Sequence, residues 1–277
     1  MKYYEIMICY PNAKINIGLN VVEKRADGYH NIETIFYPLP LTDALEAVIN
    51  KEGDQNYTFS NSGIEVDAKP EDNICIKAFN LIKEHYSVPP VKIHLHKMIP
   101  FGAGLGGGSA DGAFMLKLIN KEFELNISDE ELHVMAAQLG ADCAFFINNQ
   151  PAYATGIGDI LKPVDLSLSG YHLVLIKPPI HVSTPQAYAG IKPTPSQHSL
   201  TELIKLPVEQ WKHHIKNDFE ASVFEQFPEI GKIKMELYDA GALYACMSGS
   251  GSSVFGIFDK KPVFESKEDY FTCIKQL

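Results

Sequence analysis

The strongest chemical signal in the sequence is a glycine-rich segment between Met98 and Asp111. Five glycines fall within seven residues, after an alternating pattern typical of a strand and before a pattern typical of a helix. Glycine leaves backbone N–H groups unshielded, and such groups at a helix N-terminus, together with the helix dipole, bind phosphate. The sequence therefore predicts a phosphate-binding loop with these members: Pro100, Gly102, Ala103, Gly104, Leu105, Gly106, Gly107, Gly108 and Ser109.

Other interpretations of this loop fit less well. The spacing Gly102-x-Gly104-x-x-Gly107 matches the dinucleotide fingerprint, but the acidic residues about 20 positions later, Glu122 and Glu124, follow a helix pattern rather than a strand. A Walker A loop has a lysine before its Ser or Thr, which this segment lacks. The His-Arg-Asp and Asp-Phe-Gly triplets of protein kinases are absent from the chain. A flexible linker is also a weaker interpretation of this segment, because a linker need not lie between a strand pattern and a helix pattern.

Several other polar residues are ambiguous when taken alone. Lys14 lies on the polar face of an alternating strand pattern, and Asp142 follows a helix pattern. A solvated lysine and a turn or cap aspartate are the ordinary interpretations. His94 and His96 share one strand face and could ligate a metal, but no third ligand is evident, so we expect a solvated face.

Composition and charge restrict the class of protein. The 277 residues are 45% hydrophobic and 21% charged, which is enough apolar material for a sizeable core. The net charge of −10 gives no overall field that favours nucleic acid or an anionic membrane. Five scattered cysteines without a C-x-x-C favour a reducing compartment. No apolar run approaches the ~18 residues of a membrane span, and the first 14 residues resemble no targeting signal. We therefore expect a cytoplasmic protein whose fold starts at the beginning of the chain.

The predicted elements mix strands and helices without a strict β-α-β order, which is typical of the α+β class. Alternation predicts strands at 13–21, 34–39, 44–49, 91–97, 171–176, 243–247 and 254–258. Helical periodicity and caps predict helices at 74–86 after Asn73, at 109–120, from the capping box Ser128-x-x-Glu131 to 139, and at 208–214, 218–224 and 229–239. A surface loop is predicted at 192–199, and a seam between two domains near 161–168.

Three segments together resemble a known superfamily. Pro-x-Gly-Ala-Gly-Leu-Gly-Gly-Gly-Ser at 100–109 resembles the second motif of the GHMP kinases, which include galactokinase, homoserine kinase and mevalonate kinase. Pro-Asn-Ala-Lys-Ile-Asn at 11–16 is similar to the first motif, and Met-Ser-Gly-Ser-Gly-Ser at 247–252 to the third. Three motifs in the family's order are far more specific than any one of them.

Within this superfamily the resemblance narrows to one family. Arg-Ala-Asp-Gly-Tyr-His at 25–30, followed by Glu-Thr-Ile-Phe at 33–36, resembles the kinases that act on 4-diphosphocytidyl-2-C-methyl-D-erythritol. Gly-Ala-Asp-Cys-Ala-Phe-Phe at 140–146 resembles the same family. The chain departs from the family pattern at Ala144, where proline is usual, and at Ala110 and Gly112 in the run after the glycine loop.

The resemblance implies a two-domain α+β fold. Residues 1–162 would form a ribosomal-protein-S5-like N-terminal domain that carries the ATP loop and the catalytic residues. Residues 163–277 would form a ferredoxin-like C-terminal domain, with the active-site cleft between the two.

The resemblance also implies residue roles. The lysine that matches Lys14 reaches the acceptor hydroxyl and the transferring phosphoryl group, where an ammonium stabilises the transition state. The aspartate that matches Asp142 is the general base. The implied substrate-binding residues are Asn16, Tyr29, His30, Thr184 and Tyr188, and the implied third-motif loop is Ser248, Gly249, Ser250 and Gly251. Tyr29 and Tyr188 would sandwich the cytosine in the cleft, and His30 would hydrogen-bond its edge.

The implied activity is ATP-dependent phosphorylation of the 2-hydroxyl of this substrate in non-mevalonate isoprenoid biosynthesis. ATP and Mg²⁺ are the implied cofactors. The magnesium ligands stay unknown, although Ser109 is placed to contact a β-phosphate or, through water, the metal. We expect a small-molecule substrate as partner, without nucleic acid or membrane. Another GHMP kinase, acting on mevalonate, homoserine or a sugar, is the alternative. A non-catalytic relative would lack counterparts of Lys14 or Asp142, and both are present.

Overall fold

The computed structural model of the protein describes residues 7–51, 55–65, 69–196, 198–265 and 267–277. Within these ranges the strands are β1 (Met7–Cys9), β2 (Asn12–Lys24), β3 (His30–Thr42), β4 (Ala44–Ile49), β5 (Tyr57–Gly63), β6 (Val91–Lys97), β7 (Ala152–Thr155), β8 (Ile160–Pro163), β9 (His172–Lys177), β10 (Tyr244–Met247), β11 (Val254–Phe258) and β12 (Phe271–Gln276). The helices are α1 (Ile74–His85), α2 (Gly107–Glu122), α3 (Asp129–Leu139), α4 (Phe145–Asn148), α5 (Thr184–Tyr188), α6 (Leu200–Leu203), α7 (Val208–His214), α8 (Phe219–Gln226) and α9 (Pro228–Asp239). Residues 1–6, which were predicted to begin the fold, lie outside these ranges. Among the helices described, none is both long and apolar enough to cross a membrane.

The chain forms two compact units whose segments alternate along the sequence. The first unit takes the described parts of Met1–Ala13 and Leu41–Ile99, together with Gly106–Asn149. The second takes Lys14–Pro40, Pro100–Leu105 and the described part of Gln150–Leu277. The division into 1–162 and 163–277 that the sequence suggests stays a prediction.

The first unit is built on one four-stranded sheet in the order β1-β4-β6-β5. The β1–β4 and β4–β6 pairs are antiparallel, and β5 runs parallel to β6. The alternation predicted for β6 is confirmed, because Val91, Ile93 and Leu95 are buried while Lys92 and His96 are exposed. Helix α2 packs against α1, α3 and α4 and against strands β1 and β4, so the helix that follows the glycine-rich segment belongs to the core of this unit.

The second unit contains two four-stranded sheets, ordered β10-β11-β9-β12 and β2-β3-β7-β8. All the pairs of the first of these sheets are antiparallel. Helix α9 packs on β10 and β11, and α8 packs on α5 and α9. Their apolar faces share one buried cluster with strand β2, which includes Leu19, Val174, Val223, Ile233 and Val254. This cluster fixes α5 and β2 relative to the turn between β10 and β11.

Local signals located most of these elements correctly. Strands β4 and β6, helix α7 and strand β11 have the predicted bounds. The side chain of Asn73 accepts from the Cys75 N–H at the start of α1. Ser128 and Glu131 form both halves of the predicted capping box of α3. These signals depend on residues close in sequence, which is why they can be read without the fold.

One predicted helix start was wrong, and five strands were missed. Helix α2 begins at Gly107 rather than at Ser109, because Gly106, with a φ of 68°, takes the N-cap position in the left-handed conformation. Strands β1, β5, β7, β8 and β12 were not predicted. Strand β5, with the sequence YTFSNSG, is mostly polar, and β8 is mostly exposed, so neither carries an apolar alternation.

A buried ionic cluster anchors the strand that enters the glycine loop. The Lys97 ammonium donates to a carboxylate oxygen of Asp43 and to Asp111 Oδ2, the latter at 2.7 Å, and all three side chains are at most 2% exposed. Asp43 Oδ1 also accepts from the backbone N–H groups of Met98 and Ile99, at 2.6 and 2.8 Å. The cluster thus fixes the chain at the point where β6 ends and the loop begins.

Asp111 is the member of this cluster whose charged form is least favoured. Burial and the neighbouring Asp43 carboxylate raise the pKa of Asp111 to about 7, against the opposing effect of Lys97. Its Oδ1 is buried and, among the described residues, accepts no hydrogen bond. Burial of a carboxylate with one oxygen unpartnered disfavours the charged form.

We predict a pH signature of Asp111 in the stability of the protein. Between pH of about 4 and 7 the carboxyl of Asp111 is protonated in the folded protein and ionised in the unfolded chain. The free energy of unfolding therefore falls as the pH rises through that window. The melting temperature of Asp111→Asn minus that of the wild type should therefore become more positive, by several degrees, between pH 4.5 and 7.5. Asp165→Asn, at an exposed position, is the control and should show a constant difference. A constant difference for Asp111→Asn as well would contradict the raised pKa.

Candidate active site

The buried lysine of the first motif is the centre of the candidate site. Lys14 lies on β2 and is 3% exposed, although the sequence alone suggests a solvated lysine. Its Nζ donates to Asn16 Oδ1 at 2.6 Å and to the carbonyl oxygen of Gly104 at 3.2 Å. The same atom lies 4.8 Å from the centre of the Phe36 ring. An ammonium buried in this way needs such acceptors, and they fix its position.

Asn16 is itself held from three sides. Its Nδ2 donates to Thr34 Oγ1 at 3.0 Å, and the Thr34 hydroxyl donates to the carbonyl oxygen of Gly18 at 2.5 Å. Its backbone N–H donates to Ser248 Oγ at 3.2 Å. Because both amide atoms of Asn16 are engaged, its oxygen is directed at Lys14. Thr34 belongs to the segment Glu-Thr-Ile-Phe at 33–36 that carries the family resemblance, but no role was predicted for it.

The second and third motifs meet at Gly104 and Ser248. The Ser248 hydroxyl donates to the carbonyl oxygen of Gly104 at 2.8 Å. A Cβ atom on Gly104 would lie 2.0 Å from the backbone oxygen of Ser248, and Gly104 has a φ of +72°. Gly249 also has a positive φ, and a Cβ there would lie 3.3 Å from Asn16 Oδ1. The three motifs predicted from the sequence are therefore brought together within the second unit, and glycine is what allows this close approach.

The remainder of the glycine loop begins helix α2 in the first unit. Gly106 occupies the N-cap without a side-chain hydrogen bond. The first N–H groups of a helix have no acceptor inside the helix, so those of Gly107, Gly108 and Ser109 suit an anion. Ser109 lies inside the helix rather than at its cap, which corrects the predicted helix start.

Asp142 belongs to the same unit as this helix start. It is partly exposed and lies in the turn between α3 and α4, where the Cys143 N–H donates to the carbonyl oxygen of Gly140 at 3.1 Å. Burial raises the pKa of the Cys143 thiol to about 11, and the neighbouring Ser109 side chain acts in the opposite direction. The turn that carries Asp142 therefore lies beside the first turn of α2.

The aromatic residues predicted to bind substrate lie in the second unit. The rings of His30 and Tyr188 are stacked, with centres 4.5 Å apart and planes inclined by 22°. Tyr188 also meets Phe219 edge to face at 4.7 Å. Tyr29 is 60% exposed. The ring that stacks on Tyr188 is thus that of His30 and not that of Tyr29. The sandwich of a base between the two tyrosines stays a prediction. Tyr29 and Tyr188, expected in different domains, belong to the same compact unit.

Helix α5 orients Tyr188. Ser183 and Gln186 form a capping box at its start, with Thr184 as the first helical residue. The hydroxyl of Ser222 on α8 donates to the carbonyl oxygen of Ala187 at 2.7 Å, which holds the end of the helix. The predicted contact of Thr184 with a substrate stays untested.

Several other features lie outside this constellation. Ser60 and Ser62 lie 2.8 to 2.9 Å from ring nitrogens of His94 and His96, so these histidines are hydrogen-bonded along the sheet. In the part of the chain that the structure describes, no three His, Cys, Asp or Glu side chains cluster as metal ligands would. A cavity of about 580 Å³ in the second unit lies between residues 189–203 and helix α8, and none of the predicted site residues lines it.

Comparison with known proteins identifies the class that this fold and site define. Residues 73–150 match the model of the GHMP kinases N terminal domain, and residues 200–269 match that of the GHMP kinases C terminal domain. A mevalonate kinase of Methanococcus jannaschii has a similar structure, with a TM-score of 0.68 over 100% of this chain and 99% of that one. At 12% identity this likeness concerns the fold alone.

Closer relatives define the family. A 4-diphosphocytidyl-2-C-methyl-D-erythritol kinase of Bacteroides fragilis is 59% identical over 91% of this chain and 92% of its own. The kinase of the same name from Parabacteroides distasonis is 57% identical over 96% and 97% of the two chains. A crystal structure of a 4-(cytidine 5'-diphospho)-2C-methyl-D-erythritol kinase superposes with a TM-score of 0.78 at 31% identity, over 91% and 90% of the two chains. The chain belongs to the 4-diphosphocytidyl-2-C-methyl-D-erythritol kinase family of the GHMP kinases.

We predict that alanine substitution at two glycines of one loop has different effects on the melting temperature. Gly104→Ala places a Cβ against the Ser248 oxygen and forces an L side chain to a φ of +72°, so the melting temperature should fall by several degrees. Gly108→Ala is the matched control, because no atom lies within 4 Å of its added Cβ and the position is helical. Its melting temperature should stay the same or rise slightly. Equal melting temperatures for the two variants would contradict the contact between the second and third motifs.

Proposed function

We propose that the chain transfers the γ-phosphoryl group of ATP to the 2-hydroxyl of 4-diphosphocytidyl-2-C-methyl-D-erythritol, a step in non-mevalonate isoprenoid biosynthesis. As a GHMP kinase it is an ATP-dependent small-molecule kinase. The observation that carries the proposal is the buried Lys14 ammonium, which Asn16 holds against the carbonyl oxygen of Gly104 in the glycine loop. It supports a site in which the Lys14 ammonium stabilises the negative charge of a bound phosphate.

In this mechanism Lys14 supplies electrostatic stabilisation. Charge on the transferring phosphoryl oxygens and on the acceptor oxygen grows toward the transition state, and a pre-positioned ammonium lowers its energy. Neutral oxygens of Asn16 and Gly104 hold the ammonium in place without cancelling its charge. Asn16 also presents its amide toward the hydroxyl groups of the substrate in this proposal.

Asp142 acts as the general base of the reaction. Its carboxylate accepts the proton of the 2-hydroxyl as the new phosphorus–oxygen bond forms, so its placement matters more than its basicity. The closeness of Cys143 to Ser109 supports this role, because the Asp142 turn then lies beside the helix start that would bind the phosphates.

Mg²⁺ is the second proposed cofactor. Magnesium prefers oxygen ligands and usually keeps several waters beside one or two protein ligands and the substrate phosphates. The Ser109 hydroxyl, in the first turn of α2, is an oxygen donor that would contact such a metal through water. When bound, the metal would neutralise charge on the nucleotide phosphates.

The substrate assignment is tested by direct assay. We expect the purified protein with Mg·ATP to release ADP with 4-diphosphocytidyl-2-C-methyl-D-erythritol, and not with mevalonate, homoserine or galactose.

In the same assay Asp142→Asn should lower kcat by roughly 10²-fold or more while KM changes only a few-fold, the usual result of losing a general base. Lys14→Ala should also abolish most of kcat.

The matched control for these variants is Glu130→Gln, an exposed acidic position in the first unit. It should keep wild-type kinetics. Turnover of mevalonate or homoserine at a comparable rate would favour the alternative GHMP kinase, and an Asp142→Asn variant with near wild-type kcat would exclude that residue as the base.

We also predict separate recognition of the two nucleotides. If the cytosine stacks at Tyr188, Tyr188→Ala should raise KM for the cytidine substrate roughly 5- to 150-fold, while Tyr188→Phe, which keeps the ring, stays near wild type. Tyr29→Ala should do the same if that ring covers the other face of the base. Tyr10→Ala is its control, since Tyr10 is 57% exposed and Tyr29 is 60% exposed.

His30→Ala should weaken discrimination between cytosine and uracil substrates, because their edges differ in donors and acceptors. Steady-state kinetics with ATP and the cytidine substrate varied in turn decide these points. A change confined to KM for ATP would place Tyr29 and Tyr188 at the other nucleotide.

A further inference from the structure

His181 contacts the glycine loop and has no role in the site described so far. It lies between β9 and α5, at the end of the segment Pro178-Pro-Ile-His181. A Cβ atom on Gly102 would lie 2.7 Å from His181 Nδ1 and 2.9 Å from Cε1, so one edge of the imidazole ring covers Gly102. Gly102 has a φ of +57°, and the absence of a side chain is what admits the ring.

The backbone on both sides of His181 is fixed. The buried hydroxyl of Ser252, at the end of the third motif, donates to the carbonyl oxygen of Ile180 at 2.6 Å. Two residues after His181, Ser183 caps the helix that carries Tyr188. The imidazole is therefore held between the glycine loop and the helix of the aromatic site, all within the second unit.

The imidazole ring of His181 makes little contribution to the stability of the fold. His181 is exposed, so it contributes little to the core. Among the described residues it makes no hydrogen bond, although an imidazole carries one donor when neutral and two when protonated. A donor held at a glycine-rich phosphate loop and open to solvent suits an anionic oxygen.

We propose that His181 binds a phosphoryl oxygen of a nucleotide diphosphate group at the Gly102 end of the loop. The inference rests on the proposed function, in which ATP and the cytidine substrate each carry such a group. The chemistry is shared by the two ligands, so kinetics and binding must separate them. The ring donates the hydrogen bond, and its contact with Gly102 sets its height above the loop.

Four variants distinguish phosphate binding from packing. His181→Phe keeps a planar ring against Gly102 but has no donor, and His181→Ala removes both. His181→Gln keeps a donor without the ring. His213→Ala is the control, because His213 is an exposed histidine of the same unit that the site does not use.

The measurements are KM and kcat for ATP and for the cytidine substrate, and calorimetric Kd values for ADP and CDP on the full chain. We expect His181→Phe and His181→Ala to raise KM and Kd for one of the two nucleotides about 10- to 100-fold, the usual effect of losing a hydrogen bond to a charged group. His181→Gln should recover much of the loss, and His213→Ala should bind like the wild type. The nucleotide affected identifies the source of the diphosphate.

The outcomes separate the inference from the proposed function. Unchanged affinities in His181→Phe and His181→Ala would overturn the inference, and so would wild-type binding by His181→Phe with loss in His181→Gln, which would mark a packing role. The ADP and CDP titrations do not require turnover. A protein that fails to phosphorylate the cytidine substrate, but whose ADP affinity depends on His181, would therefore refute the function and keep the inference.

Discussion

The site depends on the burial of one ammonium group. Lys14 is almost completely removed from water, and an unpartnered charge there would cost several kcal/mol. Its cost is offset by the Asn16 amide oxygen and the Gly104 carbonyl oxygen. Those two acceptors must in turn be held, which is what Thr34 and Ser248 do. The requirement to satisfy a single buried cation thus joins all three motifs.

A second buried lysine shows how a different set of partners gives a different result. Lys97 is enclosed by the carboxylates of Asp43 and Asp111, and the cluster anchors the strand before the glycine loop. Carboxylates largely cancel the charge of a buried lysine, whereas amide and peptide oxygens only orient it. The cluster of Lys97 is therefore suited to a structural role, and the environment of Lys14 is suited to keeping an ammonium whose charge is not cancelled.

The glycines of the loop have different functions despite their similar appearance in the sequence. Gly104 permits contact with Ser248, Gly102 accommodates the ring of His181, and Gly106 provides a left-handed N-cap. Gly108 has open space around it. A count of glycines therefore indicates a phosphate loop but does not say which position tolerates a side chain.

The sequence by itself determined what short-range patterns can encode. The capping box at Ser128 and the cap at Asn73 lie within a few residues of their partners, and the alternation of β6 needs only seven residues. Three ordered motifs were enough to predict the family. Only the tertiary structure decided that Asn16 bonds Ser248 across 232 positions, that His30 stacks on Tyr188, and that Asp43 reaches Lys97 across 54. The reason is that such contacts are set by how the strands and helices pack, and a polar residue carries no local mark of a partner that lies far away in the chain.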